Sequence, residues 1–160
     1  MLNLPVLFGA ALIPTIVGFV WYNPKVFGNA WMAAAEMTEE KMKGANMIVI
    51  FGVSLLLSVM LAVATNFNVI HQAHIDSLFN GVTDQSALDY IANFHATYGD
   101  MHRGFSHGAI HGAIMALFFA LPVLGTNALF ERKGFKYIAV NVGYWLVTLV
   151  LMGGVICQFA

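Results

Sequence analysis

Residues 45–70 read ANMIVIFGVSLLLSVMLAVATNFNVI, an apolar run without a single charged side chain. A membrane-spanning helix needs about 20 mostly apolar residues, so this stretch predicts one. Three further stretches meet the same requirement, at residues 3–22, 105–124 and 137–158. We therefore expect an all-α fold, an integral membrane four-helix bundle in which residues 1–160 form a single domain.

The composition supports a membrane protein. The chain has 160 residues, of which 59% are hydrophobic and 9% are charged, whereas soluble domains carry about 25% charged residues. With 7 Lys and Arg in total, the chain cannot form the basic face that nucleic acid requires. We expect the lipid bilayer as its surroundings and no nucleic-acid partner. Cys157 is the single cysteine, which excludes an internal disulfide, and we expect it near the outer surface.

Local signals predict where the helices begin and end. Pro14 should kink the first span or loosen one turn of it, and Pro24 should end it, because the residue before a proline avoids the α region. Thr38 is a good N-cap for a helix that we expect to begin at Glu39 and to enter lipid near Ala45. No Lys or Arg precedes the first apolar run, so we expect that run to remain as a span and not to be cleaved as a signal peptide.

The few charges are sorted along the chain. Six of the seven basic residues follow the first and third spans: Lys25, Lys41, Lys43, Arg132, Lys133 and Lys136. The long loop after the second span, residues 71–104, contains Arg103 as its one basic residue. Basic loops stay in the cytoplasm of membrane proteins. We therefore expect a multi-pass protein of the bacterial inner (cytoplasmic) membrane, with both termini and the long loop outside.

The long loop has a helical pattern of its own. Apolar side chains recur at helical spacing, at Ala87, Leu88, Ile91, Phe94 and Tyr98. The pattern predicts a short amphipathic helix, either lying on the outer membrane surface or capping the bundle. A plain helical loop without a role is the alternative.

Two parts of the sequence carry a family resemblance. One is GFVWYNPKVFGNAW at residues 18–31, followed by MTEE at 37–40. The other is NALFERKGFK at 127–136, followed by NVGYWL at 141–146 and LMGG at 151–154. Together they resemble the bacterial membrane-protein family catalogued as domain of unknown function 1761. The resemblance implies a small four-span bundle and no established activity, and the segment at 71–111 looks longer and more polar than the family's pattern.

The histidines are concentrated in that segment. All six lie between residues 71 and 111: His71, His74, His95, His102, His107 and His111. The first two are three residues apart and the last two are four apart, spacings that bring two imidazoles to one face of a helix. Neutral imidazole suits zinc and copper. The sequence predicts a candidate zinc or copper site built from His71, His74, His107 and His111, with His95, His102 and Asp100 as further polar residues. Ordinary helix ends and interhelical hydrogen bonds are the alternatives.

The third span begins with small residues four apart, Gly104, Gly108 and Gly112. Such a ridge lets another helix approach closely. The approaching helix can belong to a second copy, to a partner, or to the same chain. The sequence leaves these alternatives open.

No enzyme motif accompanies these features. Ser106 lies beside His107, but no aspartate is placed to orient the imidazole, and neither a phosphate loop nor a zinc-protease motif is present. We expect a non-enzymatic accessory or scaffold subunit, either of a homo-oligomer or of a larger membrane complex. The alternative is a metal-binding or metal-handling protein that uses the outer histidines. A further alternative is a small-solute channel or transporter lined by the polar residues of spans two and four.

Overall fold

The computed structural model describes residues 2–160, which form helices and connecting turns without any strand. The helices are α1 (Leu4–Ala10), α2 (Ile13–Trp21), α3 (Asn29–Ala35), α4 (Glu39–Lys43), α5 (Met47–Val69), α6 (Gln72–Leu78), α7 (Gln85–Tyr98), α8 (Phe105–Met115), α9 (Leu121–Phe130) and α10 (Phe135–Phe159). Two π-helical turns, Pro24–Gly28 and Ala116–Ala120, precede α3 and α9. The predicted all-α fold is confirmed.

Within the described residues, four helical segments are long and apolar enough to cross a membrane. They are span 1 (Leu4–Trp21), span 2 (Met47–Val69), span 3 (Phe105–Phe130) and span 4 (Phe135–Phe159). Each corresponds to one predicted stretch. Span 3 continues beyond the predicted end at 124, because Pro122 occupies the first turn of α9 directly after a π-helical turn. A proline there does not break the helix, since the first turn needs no N–H bond within α9.

The local signals have mixed outcomes. Span 1 is interrupted between α1 and α2, just before Pro14, as expected. The Thr38 hydroxyl accepts from the backbone N–H of Lys41 at 3.3 Å, so the predicted N-cap is confirmed. The expectation that this helix continues into the membrane is wrong, since α4 ends at Lys43. A new helix begins at Met47 because the side chain of Asn46 caps it.

Span 4 is the central helix of the bundle and the most buried of the four spans. It packs along the length of α8 and also contacts spans 1 and 2. The core at one end of the bundle is formed by Leu7, Ala62, Met152 and Ile156, each at most 2% exposed. Large apolar side chains on the outer faces are exposed, as expected of a surface that faces lipid.

Contacts between residues far apart in the sequence define two ends of the bundle. At one end Asn3 donates to the carbonyl of Phe159 at 3.1 Å, and Arg103 donates to the carbonyl of Cys157 at 3.2 Å. We call this the histidine end, and it contains residues 71–104. At the other end the Lys133 ammonium lies 2.9 Å from the Glu36 carboxylate. We call this the basic end, and it contains the loops at 22–46 and 131–134.

The amphipathic helix predicted in the long loop is present as α7, Gln85–Tyr98. It begins at Asp84, whose carboxylate accepts from the backbone N–H of Ala87 at 3.2 Å and from the hydroxyl of Ser86. These hydrogen bonds hold the pKa of Asp84 below its usual value. The predicted apolar side chains Ile91 and Phe94 are half-buried. The helix therefore presents an apolar face to the histidine end.

Candidate metal centre

Three of the predicted ligands meet at the histidine end. One ring nitrogen each of His71, His107 and His111 lies within 4.8 Å of the other two. We call these three residues the histidine trio. The Nε2 atoms of His71 and His107 are 2.9 Å apart. The ring of His111 lies 4.9 Å from that of His71 and 4.6 Å from that of His107, measured between centroids. This is a compact group of nitrogen ligands.

The fold brings the trio together from two spans. His107 and His111 lie one turn apart on α8, so the helix presents both rings on the same face. His71 lies in the turn that follows α5 and precedes α6. The structure thus brings the ends of spans 2 and 3 together at these three residues. The rings of His107 and His111 are half-buried, and His71 is exposed.

The separations within the trio can be compared with a metal site. Two nitrogens bound to one tetrahedral zinc at 2.0–2.1 Å lie about 3.3 Å apart. The 2.9 Å pair is about 0.4 Å closer than this, and a separation at the 4.8 Å limit is about 1.5 Å wider, differences that side-chain rotation can supply. In the described arrangement one of the two Nε2 atoms donates an N–H···N hydrogen bond and the other accepts it through its lone pair. The accepting ring is neutral, which is the metal-binding form.

The surroundings favour a neutral imidazole at His71. Desolvation of the ring by neighbouring groups lowers the pKa of His71. The imidazoles of His111, His102 and His74 lower this pKa further. Like groups this close cannot all be charged without repulsion. The trio contains no carboxylate that would stabilise an imidazolium. At neutral pH the lone pair of His71 is therefore available.

The structure places the remaining predicted residues differently. His74 lies within α6, is exposed and is outside the trio. His95 lies on α7, where its Nε2 is 2.6 Å from the Asp76 carboxylate. Asp100 is exposed in the turn after α7. These residues are near the trio in sequence, but the structure does not bring them into it.

His102 forms a second layer against the trio. Its ring stacks on that of His107, with centroids 5.0 Å apart and planes inclined by 24°. Its backbone has a φ of 60°, an uncommon conformation for a residue with a side chain. The thiol of Cys157 donates to the His102 carbonyl at 3.3 Å and holds this turn. Cys157 lies at the end of span 4 that the sequence analysis expected to be the outer one, and its side chain is fully buried there.

Gln72 is a further polar residue at this end that the sequence did not single out. Its amide nitrogen donates to the carbonyls of Tyr98 and Met101, at 3.3 and 2.9 Å, and so joins α6 to the end of α7. The side chain is 8% exposed, and its Oε1 has no hydrogen-bond partner among the described residues. In the sequence, only its position directly after His71 could have indicated that Gln72 belongs to this end of the bundle.

The glycine ridge is occupied by the same chain. A Cβ atom added to Gly108 would meet the carbonyl oxygen of Gly153, and one added to Gly112 would meet that of Leu149. The backbones of α8 and α10 are thus in direct contact, which holds the helix of His107 firmly against span 4. Nothing lies within 4 Å of a Cβ at Gly104. Of the predicted alternatives, packing within the chain is the one seen for Gly108 and Gly112.

The residues of the family resemblance lie mainly at the basic end. Trp21 donates from its indole nitrogen to the carbonyl of Val140 at 3.0 Å, and its ring lies against Gly143. Tyr22 donates to the side chain of Asn141 at 3.2 Å. These contacts fasten the end of span 1 to span 4. They have a structural role that is separate from the trio.

Comparison with known protein families assigns the chain to one of them. The family model described as "Protein of unknown function (DUF1761)" matches residues 5–157, so the chain belongs to this family. The match includes the histidine-rich segment, beyond the two parts in which the resemblance was found. No curated protein and no solved structure matches the chain.

Proposed function

We propose that this DUF1761 protein binds one transition-metal ion, zinc or copper, through His71, His107 and His111 at the histidine end of its membrane bundle. The observation that carries the proposal is the convergence of three imidazole nitrogens within 4.8 Å from two different spans. Imidazole is a preferred ligand of both metals. A trio of protein ligands is the number that leaves one position open in a four-coordinate zinc site.

The geometry supports this function better than an accessory or scaffold role. That role rested in part on the glycine ridge, and Gly108 and Gly112 are in contact with span 4 of the same chain. A channel through spans 2 and 4 is also less well supported. The polar side chains of Thr65 and Thr148 are fully buried in the packed bundle, and Thr65 donates to the sulfur of Met152 at 3.6 Å.

We further propose a binding role without catalytic turnover. Of the four aspartates that share the segment with the trio, Asp76 pairs with His95, Asp84 caps α7, Asp89 accepts from Gln85, and Asp100 is exposed in the turn after α7. None of them belongs to the cluster that the trio forms. A metal-bound water therefore lacks an adjacent carboxylate that would act as a general base.

The charge distribution supports one orientation. We infer that the basic end faces the cytoplasm of a bacterial cell and that the histidine end faces outward. The contact of Lys133 with Glu36 joins the two loops that carry five of the seven basic residues, and Lys136 follows at the start of α10. Metal would then be taken from the outer side of the inner membrane.

Metal titration of the purified protein tests the proposal. The detergent-solubilised full chain is stripped with a chelator and titrated with Zn²⁺ and Cu⁺ or Cu²⁺ in competition with a chromophoric chelator. We expect one tightly bound ion per chain, and no stoichiometric binding by the triple variant His71→Ala, His107→Ala, His111→Ala.

His74→Ala is the matched control, because His74 lies on the neighbouring helix but outside the trio. It should bind metal as the wild type does. Substoichiometric binding by the wild type, or equal binding by the triple variant, would overturn the proposal. A loss of binding in His74→Ala would move the site away from the trio.

A further inference from the structure

An apolar groove of about 340 Å³ lies beside the histidine trio. It is lined by His71 and His102 together with Ile75, Phe94, Tyr98 and Met101. Ligand pockets in proteins begin at about 300 Å³. The groove is therefore large enough for one ring with a short substituent.

The groove and the trio share a residue. His71 lines the groove and is one of the three proposed ligands. His102, which also lines the groove, stacks on the ring of His107. The groove therefore borders the trio at His71, and one of its walls, the ring of His102, contacts a second member of the trio.

The shape of the groove is held by hydrogen bonds. Gln72, which also lines it, fixes the end of α7 against α6 through the carbonyls of Tyr98 and Met101. Because the amide nitrogen makes both of these bonds, the orientation of the amide is determined. The buried oxygen is left without a partner in residues 2–160. A buried acceptor of this kind is stabilised by an N–H or O–H donor.

We propose that the groove binds the apolar part of a small ligand whose head group coordinates the metal at its open position. The ligand class is a compact aromatic or aliphatic compound with a nitrogen, oxygen or sulfur donor. This inference rests on the proposed metal site, since the head group needs the ion. The groove adds selectivity for the rest of the molecule.

Cobalt-loaded protein in lipid nanodiscs provides the test. The visible spectrum of Co²⁺ reports its ligands, so it is titrated with imidazole and, separately, with 4-phenylimidazole. We expect the phenyl compound to bind about tenfold more tightly or better, because the groove removes its ring from water. Phe94→Ala should reduce this preference strongly while cobalt affinity and imidazole affinity stay the same.

Two further variants make the result specific to the groove. Phe94→Trp should fill the groove and reduce the preference even where the alanine variant folds poorly. Tyr90→Ala is the matched control, because Tyr90 is on the same helix α7 and is 65% exposed outside the groove. It should keep the full preference for the phenyl compound.

The outcomes separate the two proposals. Suppose that cobalt binds the trio but 4-phenylimidazole binds no more tightly than imidazole, or that Phe94→Ala leaves its higher affinity unchanged. The groove proposal is then overturned and the metal site stands. If cobalt does not bind the trio and zinc and copper also fail to bind it, both proposals are overturned. The cobalt titration is repeated in detergent for comparison. A preference that is present in detergent and absent in nanodiscs would mean that an acyl chain occupies the groove, which also overturns the ligand proposal.

Discussion

At the basic end Tyr22 donates to Asn141 and Trp21 donates to a carbonyl of span 4, whereas at the histidine end the ring of His71 lies against those of His107 and His111. The first arrangement pairs donors with acceptors. The second brings three imidazoles together. They can form only some of their hydrogen bonds with one another, because each neutral imidazole has one donor and one acceptor.

This difference indicates different roles for the two ends. Complementary hydrogen bonds between span 1 and span 4 stabilise the fold on their own. Several imidazoles at one point repel one another when protonated, and they gain most from a cation that binds all of them while they are neutral. The comparison therefore predicts that variants at the histidine end affect metal binding and that variants at the basic end affect stability.

The largest expected effect is on metal affinity at the histidine end. His107→Ala should weaken zinc binding by more than about 100-fold, since the loss of a direct ligand exceeds the loss of a residue that supports one. The free energy of unfolding of the metal-free protein should stay near the wild-type value. Competition titration and detergent-based unfolding measure the two quantities. Equal losses in both would remove the distinction between the ends.

The second-largest effect is on stability and concerns the packing of α8, the helix of His107 and His111, against α10. Gly112→Ala should destabilise the protein by about 1–3 kcal/mol, because the new Cβ meets the backbone of Leu149, which has no room to move. Gly52→Ala is the control, since nothing lies within 4 Å of a Cβ there. Unfolding in mixed detergents measures both variants. A Gly112→Ala protein as stable as Gly52→Ala would contradict the close approach of α8 and α10.

A smaller effect is expected at the basic end. Tyr22→Phe removes the hydrogen bond to Asn141 and should cost about 1 kcal/mol of stability, with metal affinity unchanged. Tyr90→Phe, on the exposed face of α7, should leave the stability as it is. A metal affinity that falls in Tyr22→Phe would show that the two ends are coupled.

The smallest effect is electrostatic. The Lys133 ammonium holds the pKa of Glu36 below its usual value of 4.5. A depressed carboxyl pKa contributes stability above that value, and the contribution disappears as pH falls through the lowered pKa. Lys133→Met should therefore lower the melting temperature slightly at pH 7 and have no effect in strong acid, because the Glu36 carboxylate is exposed and its interaction is screened by solvent. Melting curves across this pH range would show a constant difference if the contact contributes nothing.

Much of the fold could be predicted because its causes are local. Hydrophobic length determines each span, and the side chain of Thr38 determines the start of α4. The turn between α4 and α5 could not be predicted in the same way. Its N-cap, Asn46, lies next to apolar residues that alone suggest a continuous helix.

The candidate site was predicted in part. His107 and His111 lie within one helix, so their spacing was sufficient to place them on the same face. The spacing of His71 and His74 was not sufficient, because His71 precedes α6 and His74 lies within it. Which histidine turns toward α8 depends on the packing of the spans, and that information is not local.

The central claim is that three histidines of this chain hold one metal ion. X-ray absorption spectroscopy of the zinc-loaded protein tests it most directly, because the scattering counts imidazole ligands around the ion. We expect three imidazole nitrogens at about 2.0–2.1 Å in the wild type and two in His107→Ala. Zinc without imidazole ligands, or the same ligand count in both proteins, would contradict it.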